Sequence, residues 1–189
     1  MSQSTMPQPS AEPTQLHSPW WRLQGVFFEP TRTFDEIGQK PNWLIPMVIL
    51  ALIGALSYTF VISNIGYENL VRQQVLSNPQ IQEMPKEQQE QMIEQATQSS
   101  FGRYFAYVGV VIFGTAGMAL VALLFFLGMM LVAADLKYPQ ILSVTLHSFF
   151  AYSLITSILT AIVIYLAPDK GEIDIQNVVQ SNLGLLIDK

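Results

Sequence analysis

Cysteine is absent from the 189 residues, and charge is scarce, with Asp, Glu, Lys and Arg making up only 12%. Lack of cysteine excludes disulfides, thiol nucleophiles and thiolate metal sites, and leaves the compartment open. A soluble domain carries roughly 25% charged residues, so half that content, with 50% hydrophobic residues, points to a lipid environment. A basic excess is also missing. Nine Lys and Arg stand against 14 Asp and Glu, for a net charge of −5, and no basic patch is present, which argues against nucleic acid as a partner. Residues 1–19 show no basic start followed by an apolar run, as a cleavable secretory signal would. The first 20 residues have no arginine and include Glu12, which speaks against organellar targeting.

What is there in quantity is apolar sequence. Tyr104 to Ala134 holds no charge, no proline and no Asn or Gln. A bilayer needs about 20 such residues, and a helix apolar on all sides belongs in lipid or a large core. It is the central transmembrane helix, and Gly114, Gly117 and Gly128 predict a face on which its neighbours pack. The first span is expected over Trp43 to Ile62, with Pro46 in its first turns, where a missing donor costs little. Ala51 and Ala55, with Gly54 beside them, give this span a face for close approach. A third span is expected over residues 141–167.

Around the spans the chain is polar. Residues 1–19, rich in Ser, Gln, Pro and Thr and holding His17, read as a disordered tail. Residues 20–41 read as two short amphipathic helices. In the first, Trp20, Leu23, Val26 and Phe27 fall at helical spacing, and it either lies along the membrane surface or packs onto the bundle. In the second, Thr33 and Glu36 have capping-box spacing, and Gly38 can end the helix. Residues 63–103 form a polar loop whose Pro85 to Gln98 part predicts a helix with proline at its first position. Met84, Met92 and Ala96 give that helix a thin apolar stripe, and Glu83, Glu87, Glu90 and Glu94 an acidic face. Calcium loops need oxygen ligands around a tight turn, so this face reads as solvated. Charges near the span ends divide almost evenly between the two sides, so the positive-inside rule leaves orientation open.

No chemistry is visible. Ionisable residues at membrane depth are functional suspects by default, and the three apolar cores contain none. His147, at the start of the third span, reads as a structural residue. Asp135 and Lys137 mark the membrane boundary after the central helix. Ser153, Thr156, Ser157 and Thr160 build a weakly polar face suited to helix packing, or alternatively to a solute pathway. No Ser-His-Asp set, paired membrane carboxylates or phosphate-binding loop occurs. The expectation is a chain without catalytic residues, cofactor or metal.

One pattern goes beyond composition. Phe27-Phe28-Glu29-Pro30-Thr31-Arg32-Thr33-Phe34-Asp35-Glu36-Ile37, followed by Pro41-x-Trp43-x-x-Pro46, resembles the opening of prokaryotic Yip1-family membrane proteins. There an F-x-P-x-x-T/A-F-x-x-I element precedes a proline-tryptophan start of the first span. Lys137-Tyr138-Pro139-Gln140-Ile141-Leu142-Ser143-Val144 is similar to that family's link between its second and third spans. The likeness covers residues 20–189. It implies an all-α, polytopic transmembrane bundle, five spans as the family pattern, and a cytoplasmic N-terminus. Three spans are visible, so Asn182 to Asp188 is read as a lead-in to a fourth, and the chain as stopping early. The family supplies no catalytic residues. Its eukaryotic members act in vesicle trafficking and bind small GTPases and membrane proteins.

The expected protein is therefore a multi-pass protein of a bacterial cytoplasmic membrane that works by interaction. Its partners would be the lipid bilayer and other membrane proteins, or further copies meeting through small-residue helix faces. The alternative is an oligomeric small-solute transporter or permeability component.

Overall fold

The computed structural model describes residues 16–132 and 135–167, together with Lys170 and Ile173. Of the tail expected over residues 1–19, residues 1–15 lie outside them, as do the last two residues of the central span and the lead-in over 182–188. Residues 17–19 are ordered instead, His17 bonding Glu36, Ser18 capping the first helix and Pro19 opening it.

Proline sets the first two helices. Helix α1, Pro19–Phe28, begins on proline, and the Ser18 hydroxyl caps it by accepting from the Trp21 N–H at 3.3 Å. Pro30 then bars Glu29 from the helical region. Glu29 takes φ −136° and ψ 61°, and a second helix, α2 (Pro30–Gln39), starts on the proline. The capping box expected at Thr33 and Glu36 does not form. Both lie inside α2, 0% and 2% exposed, and face the protein. Nor does Gly38 end the helix, which runs on to Gln39.

Three helices follow that are long and apolar enough to cross a membrane: α3 (Leu44–Ile65), α7 (Ser100–Leu131) and α8 (Tyr138–Leu166). Between the first two lie α4 (Tyr67–Leu76), α5 (Pro79–Gln82) and α6 (Lys86–Gln98). Helix α3 stops at Gly66, whose φ of +90° suits a residue without a Cβ. Pro85 caps α6 from outside, at φ −55° and ψ 140°, instead of opening its first turn. The apolar stripe expected on Met84, Met92 and Ala96 is not the buried one. Met84 and Met92 are exposed, while Ile93 is 2% exposed. The acidic face is partly bonded: Arg72 of α4 donates to both Glu90 carboxylate oxygens, at 2.7 and 3.1 Å, and Gln98 donates to Glu94 at 2.8 Å.

Helices α3, α7 and α8 pack on one another, and α1 and α2 both pack on α8. The core is thin. At one end Leu23, Leu50, Leu146 and Phe150 come together, and at the other Val61, Ile65 and Ile164. The remaining apolar surface turns outward, as Leu44, Val48, Leu52 and Leu56 do along α3. In water such a surface would be unstable; in hydrocarbon it is the solvated face. At about 1.5 Å per residue α7 is roughly 48 Å long, against a hydrocarbon core of about 30 Å. It therefore tilts or carries its aromatic start into the interface.

Among the described residues, Gly114, Gly117 and Gly128 of α7 do not form the expected packing face. A Cβ added to Gly114, Gly117 or Gly128 would meet nothing within 4 Å. Larger residues make the contacts instead. Ala122 is fully buried, and Tyr107 meets Tyr58 of α3 edge to face at 4.8 Å.

Candidate functional site

Polar side chains collect where α1 and α2 cross the starts of α3 and α8. Their hub is Glu36, whose side chain is 3% exposed. Its Oε2 accepts from the His17 backbone N–H at 3.0 Å, and its Oε1 lies 2.7 Å from His17 Nδ1. Two guanidinium groups flank it, Arg22 Nε and Arg32 Nε, each at 3.4 Å. Burial would push the Glu36 carboxyl up. The hydrogen bonds from His17 and the charges of His17 and Arg22 outweigh that, and hold it below its ordinary value of 4.5.

Arg22 is as deeply buried as its partner, with a side chain 2% exposed. Its Nη1 donates to the Lys40 carbonyl at 2.7 Å, fastening α1 to the end of α2. Above the cluster the His17 ring stacks on Trp21 at 3.7 Å, and Arg32 lies over the Trp21 ring at 5.7 Å. The helices can approach this closely because residue 25 is glycine. A Cβ there would strike Thr33 Oγ1 and come within 2.7 Å of the Trp21 ring.

A second layer ties this platform to the bundle. The Asn42 N–H donates to Ser143 Oγ at 2.9 Å, and Gln140 Nε2 donates to the Gly38 carbonyl at 2.7 Å. Gln140 also accepts, through Oε1, from the Lys137 N–H at 2.8 Å, so one side chain links α2 to the start of α8. His147 lies just below, 1% exposed, with Nδ1 2.7 Å from the Ser143 carbonyl. A carbonyl only accepts, so Nδ1 carries the proton.

The hydroxyl face of α8 is divided. Ser157 pairs with Ser57 of α3 at 2.9 Å, joining two spans at membrane depth. Thr156 donates to its own helix, to the Tyr152 carbonyl at 2.9 Å. Among the described residues no three His, Asp or Glu side chains come together as a metal site would require.

Sequence reasoning passed over Arg22, gave Glu36 to a capping box and placed His17 in a disordered tail. A signal was available for two of them. Arg22 adjoins Leu23 on the inward side of α1, and Glu36 adjoins Ile37 on the inward side of α2, so each short helix carries one charge in its apolar register. Opposite charges placed so in consecutive helices are candidates for one buried pair.

These features define the class: an all-helical, multi-pass membrane protein whose N-terminal helices form a charge-locked platform on the bundle. The Yip1 domain matches residues 25–187, and the chain belongs to the Yip1 family. Thr33, Glu36 and Ile37 all lie in the element that carried the resemblance, and all three are buried. Comparison with curated proteins and with solved structures gives no match.

Proposed function

We propose that this protein has no catalytic activity and works by interaction, holding the α1–α2 platform at one membrane face as a docking base for another membrane protein. One observation carries this reading. Two ionisable groups of the platform, Arg22 and Glu36, turn inward onto each other with side chains 2% and 3% exposed, while Trp20 and Phe28 stay outward, 63% and 84% exposed. A buried ion pair makes a stiff base, and exposed aromatics on a stiff base are what interfaces use as anchors. We further propose that the N-terminus is cytoplasmic in a bacterial cell, which would set the platform at the inner leaflet, where it would meet its membrane-protein partner.

The transporter alternative has less support. Ser157 is already bonded to Ser57, and Thr156 to its own backbone, so part of the hydroxyl face is committed to packing.

Photo-crosslinking residues placed at Trp20 and Phe28 in native membranes test the reading. A defined protein adduct at both positions, lost when Glu36→Ala loosens the platform, is expected. Adducts with lipid alone would overturn it. Reporter fusions at the N-terminus and within 86–98 check orientation.

A further inference from the structure

The flank between α7 and α8 holds a second feature, away from the platform's exposed edge. A groove of about 630 Å³ runs between the helices, lined on α7 by Val121, Phe125 and Met129 and on α8 by Val144, Thr145 and Phe149. Its volume lies within the usual range of ligand sites, about 300–1,000 Å³. We propose that it binds one anionic glycerophospholipid of the bilayer, with an acyl chain in the groove and the phosphate at Lys137.

Three observations select that occupant. The first is depth. Asn42 bonds Ser143, so the start of α3 is level with Ser143 on α8. With the headgroups at Asp135 and Lys137 and the first apolar residues of α3 level with Ser143, Thr145 would sit at the depth of a glycerol ester. The second is chemistry. Thr145 is only 7% exposed, lines the groove, and its hydroxyl has no hydrogen-bond partner among the described residues. Most other helical threonines here bond a carbonyl four residues back, as Thr115 and Thr156 do. A free donor beside an apolar channel suits an ester carbonyl, which only accepts. The third is charge. Lys137 precedes Ile141, Val144 and Ser148 by four, seven and eleven residues, so its register places it on the groove's face. It is exposed and forms no ion pair among the described residues. It also stands at the N-terminus of α8, where the helix dipole favours an anion. Asp135 lies two residues earlier and keeps the local charge low, so the site fits a single phosphate and not a polyanionic headgroup.

This inference requires only a membrane-embedded chain and stands apart from the docking role proposed for α1 and α2. The test uses the full chain in phosphatidylcholine vesicles containing a minority of phosphatidylglycerol with a photoactivatable acyl chain. Adducts should concentrate on 121–129 and 141–152, and the same probe built on phosphatidylcholine should label these segments about fivefold less, since one lysine near a membrane surface is worth about 1 kcal/mol. Lys137→Gln should abolish that headgroup preference while leaving chain labelling in place, and Thr145→Val should reduce labelling with both probes. Neither change touches the platform, so folding is checked by the unchanged protection of α1 and α2 from protease. Labelling spread evenly over the outward faces of α3, α7 and α8, or equal labelling by the two headgroups, would overturn the proposal. Protein–protein adducts in the groove would show a helix there instead, and would overturn it too.

Discussion

Arg22 and Glu36 lie 14 positions apart on two different helices, yet their side chains meet at 3.4 Å with 2% and 3% exposure. A buried pair of this kind is weak support for net stability, because desolvation offsets most of the attraction. Its consequence is directional. Removing Glu36 leaves Arg22 as an uncompensated buried charge, whereas removing Arg22 leaves Glu36 its contacts with Arg32 and His17.

Glu36→Ala should therefore destabilise the platform by about 3–5 kcal/mol, and replacing Arg22 and Glu36 together by Met and Leu should recover most of that loss. Thermal unfolding in detergent, with limited proteolysis of α1, checks it. A double variant as unstable as the single one would show that packing, not charge, governs the site.

Acid should weaken the same contact. Glu36 titrates below its ordinary value of 4.5 in the folded protein. A depressed folded value means that its contribution is complete above the unfolded value and is lost as pH falls through the folded one. Stability measured from pH 7 down should hold until about 4.5 and decline below it. In Glu36→Gln the part of that decline due to this group should vanish.

Two glycines of similar appearance should behave oppositely. Gly25→Ala forces a methyl into Thr33 and the Trp21 ring, and overpacking of this kind costs about 1–3 kcal/mol. Gly114→Ala meets nothing, and alanine is the better helix former by up to about 1 kcal/mol. The unfolding midpoint should fall for the first and hold or rise for the second.

At membrane depth, Ser57 and Ser157 should couple weakly. A double-mutant cycle to alanine is expected to give about 0.6 kcal/mol, typical of interhelical hydrogen bonds in lipid. A coupling indistinguishable from zero would mean that the 2.9 Å contact is incidental to packing.

Much of the fold was legible in the sequence for a local reason. Inside hydrocarbon each span must satisfy its own backbone, so long apolar runs have to be helices. Pro19 likewise announced the start of α1 in the chain itself. The misread parts are those where a local rule had a tertiary competitor. Thr33 and Glu36 have the spacing of a cap, but Pro30 starts the helix earlier and turns both residues inward. Glycines on α7 look like a packing face, yet the neighbours contact Ala122 and Tyr107 instead.

The sequence by itself determined that this chain is helical, apolar at three places and embedded in a membrane, because those properties depend on residues adjacent in the chain. Only the tertiary structure decided which polar groups are paired. Ser57 finds Ser157, Asn42 finds Ser143 and Gln140 finds Gly38 across about 100 positions each. Arg22 finds Glu36 across a proline-set turn. The geometry of helices crossing sets such partnerships, and no local spacing encodes it.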